Sequence, residues 1–303
     1  MRGDSPRPPA RPYARRRLKY AEIEPSPGLA NVVEVFWSLR GSAQPGRVES
    51  ADADRILPDG CPEIVVNRAE SFRRLHEDGG SHRQDEVILV GALRRAIRIA
   101  PEGSVDLFGI RLRPGGLFPL FGAPAHELTD VDVNLRALAA PLFEDLRAAT
   151  ATGSGRPIVK DVERALRSQL ERRGRVALAA ARGGGLAGHA ARLATGGRST
   201  VEGLARGLGL NRRALERLFR VEVGLSPKLF LRIQRLQAVV ASLESGPPPR
   251  GWAQLASSHG YADQPHLIRD FRLLAGATPQ RYLAERTDLG AAFELDLSRS
   301  SNR

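Results

Sequence analysis

The last hundred residues contain one pattern twice, and this duplication constrains the fold more than any other property of the chain. Leu204, Ala205 and Gly209 recur 51 residues later as Leu255, Ala256 and Gly260. After a one-residue insertion, Leu215, Arg217, Phe219, Arg220, Gly224, Ser226, Pro227 and Phe230 recur 52 residues later as Leu267, Arg269, Phe271, Arg272, Gly276, Thr278, Pro279 and Tyr282. So many matches at a near-constant offset predict two copies of one supersecondary unit.

In the first copy, Ser199-Thr200-Val201-Glu202 sets a hydroxyl and a Glu three apart, a capping-box start for a helix ending near Gly207. Gly209-Leu210 makes a tight turn, and Asn211 can cap a second helix with Leu215, Leu218 and Phe219 on its apolar face. In the second copy, Gln254 to Ser258 is the first helix, Gly260-Tyr261-Ala262 the turn and Asp263 the cap, with Leu267 and Phe271 as the buried stripe. Helix, Gly-containing turn, capped helix is the helix-turn-helix pattern, whose second helix enters a DNA major groove. Ser226-Pro227 opens a joining helix that carries Leu229, Ile233, Leu236, Val240 and Leu243 and ends at Gly246-Pro247-Pro248-Pro249.

Charge falls where this pattern lies. The chain has 303 residues and a formal charge of +12. Residues 186–286 hold 15 basic and seven acidic side chains, and the leader 1–19 holds seven and one. The stretch 20–185 holds 22 and 23 and needs no anionic partner. The leader is rich in Pro and Arg and reads as an extended, solvated tail. Arg15, Arg16 and Arg17 precede Leu18-Lys19-Tyr20 rather than an apolar run, so no secretory signal is read there. No stretch approaches the ~18–20 apolar residues of a membrane span. The single Cys61 permits no intrachain disulfide, which fits a reducing cytoplasm.

The block from Leu186 to Arg286 resembles the DNA-binding domain of AraC/XylS-type transcription regulators, two helix-turn-helix units bridged by a long helix. The resemblance is carried by LARGLGLNRRALERLF, VGLSP, GYADQPHLIRDFR and GATPQRYL. It implies DNA-contacting positions at Arg213, Glu216 and Arg217 in the first unit and at Gln264, Pro265, His266, Ile268 and Arg269 in the second. Arg212, Arg220 and Arg272 lie on the same two helices as further candidates. Arg213 suits guanine O6 and N7, and Gln264 suits adenine. Glu216 suits cytosine N4 or, equally, an intrahelical partner. Arg217 and Arg269 reach base or phosphate unless they turn back to acids of their own helices. Pro265 fits the first turn of a helix but cannot hydrogen-bond a base.

Upstream, short β-branched runs recur between turn residues: Val32 to Leu39, Ile56-Leu57, Ile64 to Val66, Val87 to Val90, Ile97 to Ile99 and Val105 to Leu112. They predict an antiparallel barrel or sandwich. Amphipathic helices follow at Leu117 to Phe121, Leu135 to Ala149 and from Pro157. The segments Leu57-Pro58-Asp59-Gly60, Phe108 to Gly116 and Leu128-Thr129-Asp130 resemble a poorly characterised sensor-like domain attached to such regulators, which implies a cupin-like or related β fold and no particular ligand. The whole is therefore α+β. Its expected parts are a leader (1–19), a sensor or dimerisation domain (20–175), a linker (176–185), the DNA-binding domain (186–286) and a tail (287–303).

Catalytic candidates are sparse. Cys61 reads as a small hydrophobe or, alternatively, an alkyl-accepting thiol. His76, His82 and His126 lack the spacing of a metal site, and neither metal nor cofactor is expected. Arg111 and Arg113 alternate on a strand and suit either an anion or an exposed face. Trp37 on an apolar run reads as core. The expected function is a sequence-specific regulator of transcription, not an enzyme. Its expected partners are double-stranded DNA, RNA polymerase, a small-molecule effector and a second copy of the chain. The alternatives are a non-specific nucleic-acid binder and an alkyl-acceptor with an attached DNA-binding domain.

Overall fold

Alternation along the central strands sets the architecture of the N-terminal half. Ile64 and Val66 of β4 (Glu63–Asn67), Val87 and Leu89 of β7 (Val87–Val90) and Phe108, Ile110 and Leu112 of β9 (Ser104–Leu112) share one core with Phe36 of β2 (Val33–Ser42). Their neighbours Val35, Trp37, Leu39, Val65, Ile88, Val105 and Leu107 form a second core on the opposite face. Both faces of the sheet are buried, so these strands read as continuous apolar runs rather than as alternating ones. The computed structural model describes residues 18–42, 53–151, 155–183, 185–194, 199–243, 247–248 and 250–285.

Four shorter strands complete two antiparallel sheets with the four above and β1 (Lys19–Ile23) and β8 (Ile97–Pro101): β3 (Asp54–Ile56), β5 (Phe72–Leu75), β6 (Ser81–Arg83) and β10 (Asp132–Asn134). The larger sheet runs β1-β2-β9-β4-β7-β10 and the smaller β3-β8-β5-β6. Phe72 and Ile99 of the smaller sheet enter the second core, so the sheets are stacked as a sandwich. The barrel alternative is corrected: β1 and β10 end the larger sheet and do not pair with each other. At mid-strand, Gly109 lies under the indole of Trp37, where a Cβ would stand 1.8 Å from Cε2.

Helices cover the outer face of the larger sheet. After α1 (Leu117–Phe121), α2 (Leu135–Thr150) and α3 (Arg156–Arg173) bury Leu142, Leu146, Ile158, Val162, Leu166 and Leu170 against it. The backbone of α2 breaks at Ala139, two residues before Pro141. The stretch 176–185, expected as a linker, is helical over nearly all its length. It is α4 (Arg175–Gly183), whose Ala177 and Ala181 lie in the same core. Residues 1–17 of the leader and the tail 287–303 lie outside the described residues.

The C-terminal block follows the duplicated pattern. It comprises α5 (Gly185–Ala194), α6 (Val201–Gly207), α7 (Arg212–Leu218) with a π-helical turn at Phe219–Val223, α8 (Pro227–Ser242), α9 (Gly251–Ser258), α10 (Gln264–Ala275) and α11 (Pro279–Glu285). Asn211, Ser226 and Asp263 cap α7, α8 and α10 as their spacing predicts, accepting from Ala214, Leu229 and His266 amides. Thr200, rather than Ser199, caps α6. The repeat is also a packing repeat. Phe219 meets Phe230 edge-on at 5.5 Å, and their counterparts Phe271 and Tyr282 meet edge-on at 5.4 Å. All four enter one core with Leu215, Ile233, Leu236 and Leu267.

Candidate nucleic-acid interface and cavity

Each second helix buries one stripe and exposes the other. On α7, Leu215 is fully buried while Arg213 and Arg217 are exposed, without an ion pair among the described residues. Arg212 Nε lies 3.0 Å from Glu216 Oε1, one turn on, so these two candidates serve each other. On α10, Leu267, Asp270 and Phe271 are buried, and Pro265, Arg269 and Arg272 are exposed. Gln264, His266 and Ile268 are half-buried, with the His266 ring edge-on to Tyr261 at 5.2 Å. Arg232 of α8 binds buried Asp270, its Nε 2.9 Å from Oδ1, which ties α10 to the joining helix. Arg220 stands apart from the other candidates, because its Nη2 lies 3.2 Å from His126 Nε2 of the N-terminal half.

That contact belongs to a broad docking of the two halves. Gln237 and Gln234 of α8 donate to the carbonyls of Pro58 (2.5 Å) and Asp59 (2.8 Å). The Ala96 amide donates to the Leu274 carbonyl at the end of α10, and Thr129 Oγ1 to Gly224 O. Arg55 pairs with Glu285 of α11 at 3.1 Å. Leu57 and Ala92 join the C-terminal core outright.

Between the two sheets lies a cavity walled by Trp37, Phe72, Ile88, Ile99 and Leu107, with Leu57 at its border with the C-terminal core. Its polar lining includes Asp59, Cys61, Glu63, Asn67 and Arg111. Arg111 Nε is 2.8 Å from Glu63 Oε1 and 3.6 Å from Asp59 Oδ2. Burial outweighs the pull of Arg111 and pushes the Asp59 carboxyl up to about 7. Burial and the neighbouring Asp59 push the Cys61 thiol well above its ordinary range, away from the thiolate that alkyl acceptance needs.

The anion-site reading of Arg111 and Arg113 is corrected, because both face carboxylates already: Arg111 as above, and Arg113 with Glu34 at 3.4 Å and the Ala30 carbonyl at 2.6 Å. Trp37 is core, as expected, and also cavity wall. His76, His82 and Asp132 form a hydrogen-bonded chain with 2.8 Å steps. Among the described residues no group of three or more His, Cys, Asp or Glu is placed to hold a metal, and no helix is long and apolar enough to cross a membrane. The cavity and the glutamine clamp on α8 were not foreseen from sequence. The only signal was the Pro58-Asp59-Gly60 turn, which gives no hint of its distant partners.

Residues 204–285 match the helix-turn-helix domain family, and residues 21–134 match a family described as a domain of unknown function (DUF6597). No curated protein sequence matches the chain. Among solved structures, ToxT from Vibrio cholerae O395 is similar at 12% identity and a TM-score of 0.43, covering 78% of this chain and 95% of that one. Unsaturated fatty acid bound ToxT from Vibrio cholerae strain SCE256 is 11% identical with a TM-score of 0.40, covering 93% and 97%. The AraC-like transcriptional activator CuxR is 13% identical with a TM-score of 0.27, covering 75% and 82%.

Proposed function

We propose, from the premise that this chain is a DNA-binding transcription regulator with an AraC/XylS-type helix-turn-helix block, that it reads two successive major-groove segments and that its N-terminal domain senses an effector. The observation that carries the reading is the matched pair α7 and α10. Both are capped by a side chain at the turn, both bury one stripe in a common core around α8, and both expose arginines on the opposite face.

Arg213 and Arg217 of α7, and Gln264, His266 and Arg269 of α10, are the proposed base- and phosphate-contacting side chains, with Arg272 on phosphate. Glu216 with Arg212 stiffens α7, and Pro265 and Ile268 supply apolar contact only. Arg220 serves docking to His126 rather than DNA. Residues 186–286 act as the reader and 20–175 as the sensor. A homodimer would bring four readers to one promoter, suiting direct repeats or inverted sites, and RNA polymerase is the proposed downstream partner. The sensing role is supported by a largely apolar cavity whose wall also grips α8.

Footprinting on selected and random DNA tests this. A discrete protected site spanning two adjacent major grooves, lost on Arg213→Ala, is expected. Uniform protection that ignores Arg213 would instead establish non-specific binding.

A further inference from the structure

We propose that the cavity between the two sheets binds a compact, largely apolar amine, its ammonium group on Asp59, and that the Leu57–Cys61 loop transmits occupancy to α8. The inference rests on the regulator reading above and adds to it the chemistry of the ligand.

The walls fix the body of the ligand. Trp37, Phe72, Ile88, Ile99 and Leu107 offer apolar and aromatic surface, suited to a hydrocarbon or aryl group and favourable to a nearby cation. Polar groups of the lining fix its head. Two carboxyls, Asp59 and Glu63, compete for the one guanidinium of Arg111, which stands closer to Glu63. Asp59 is left with the Cys61 amide at 2.8 Å as its nearest donor and with Arg111 at 3.6 Å.

Asn67 lines the cavity too, but about 13 Å along β4 from Glu63 and so away from the Asp59 end. Asn67 is 5% exposed, and its Nδ2 donates to the Asp85 carbonyl at 2.8 Å, which fixes the amide orientation. Its Oδ1 is buried with no hydrogen-bond partner. That acceptor is a polar spot out of reach of a head group on Asp59, so the carboxyls alone set where the ammonium sits. A carboxylate in the same place would meet two carboxyls, while the two lining guanidiniums are already engaged, Arg111 with Glu63 and Arg55 with Glu285, so an anion of the same shape is disfavoured.

The route outward is covalent and short. The residue that holds the ammonium presents its own carbonyl to Gln234 of α8, and Pro58 before it presents its carbonyl to Gln237. Gly60 after it lies on the ring of Phe230, and Phe230 lies edge-on to Phe219 at the end of α7. Drawing the Asp59 side chain toward a ligand thus bears on the helix that spaces the two readers.

Calorimetry on the full chain with 2-phenylethylamine and its anionic counterpart phenylacetate tests the site. The amine should bind at least about tenfold more tightly than phenylacetate, and Asp59→Asn should weaken the amine by about tenfold or more. Glu63→Gln, which releases Arg111 to compete for Asp59, should weaken it several-fold and carries the reading if D59N fails to fold by circular dichroism. No binding of the amine, equal binding of phenylacetate, or affinity unchanged by both substitutions overturns the site. For transmission, the amine should change the affinity for a selected DNA fragment about fivefold or more, and Gln234→Leu should abolish that change while leaving amine binding intact. Unaltered DNA affinity overturns transmission alone. Because calorimetry uses no DNA, amine binding by a chain without a specific DNA site would refute the regulator reading and leave the pocket standing. The reverse result would refute the pocket only.

Discussion

Gly60 of the N-terminal half packs against Phe230 of α8, so close that a Cβ on Gly60 would stand 2.6 Å from Cε2 of the ring. Its φ of +89° is also one that side chains other than glycine's resist. Gly60→Ala therefore meets a clash and a backbone penalty together. It is expected to cost about 1–3 kcal/mol in denaturant unfolding. It should also expose the docking face, read as faster amide exchange at Gln234 and Gln237. A variant as stable as the parent would show that the two halves are not held together here.

Asp270 is 5% exposed and grips Arg232, joining α10 to α8. Removing the carboxylate leaves a half-buried guanidinium without its partner. Asp270→Ala should cost about 1–3 kcal/mol of stability. In footprinting, protection over the half-site read by α10 should fade before that read by α7, since only α10 loses its tether. Equal loss at both half-sites would sink this assignment.

Among the candidate DNA-contacting arginines, Arg213, Arg217, Arg269 and Arg272 are exposed with no ion pair among the described residues, Arg212 is on Glu216, and Arg220 reaches His126 of the N-terminal half. Arg213→Ala is expected to cost about 1–3 kcal/mol on its cognate site and to relax specificity at one base. Arg272→Ala should weaken binding to all sequences and lower the salt slope by about one unit. Arg220→Ala should leave the salt slope unchanged, because its guanidinium is on His126. A salt slope that falls for Arg220→Ala returns that residue to the DNA surface.

The contrast between the two halves explains how far the sequence could be read. Asn211, Ser226 and Asp263 cap their helices as expected because capping is settled within three residues. The 52-residue offset was legible because Phe219 with Phe230 and Phe271 with Tyr282 repeat one contact. In the N-terminal half, β1, β5, β6 and β10 carry no such signal: each has three to five residues and mixes polar with apolar ones, and β1, β6 and β10 lie at sheet edges. The cavity was invisible for a different reason. Asp59, Asn67 and Arg111 come from different strands and loops, and only long-range pairing, such as Glu63 opposite Arg111, brings them together.

The buried Asp59 carboxyl is expected to make both stability and amine affinity depend on pH, in opposite directions. It faces Arg111 and Glu63 of the larger sheet, Glu34 of β2, and the amide and thiol of Cys61 on its own loop. Burial, the largest of these influences, raises its pKa from an ordinary 3.8 to about 7. The folded chain therefore holds this proton where the unfolded chain has released it. Stability due to this group falls as pH rises from about 4 to about 7 and is level beyond. At about 1.4 kcal/mol per pKa unit, the loss has a ceiling of roughly 4 kcal/mol. Asp59→Asn, which cannot ionise, should lack this component, so its stability relative to the parent should climb through that interval. An ammonium on Asp59 replaces the missing counter-charge, so amine affinity should rise over the same interval in the parent and stay flat in D59N. Thermal melts of both proteins from about pH 4 to about pH 8, with and without 2-phenylethylamine, measure all of this at once. Melting temperatures that run parallel for parent and D59N across that range would contradict the buried carboxyl as the titrating group.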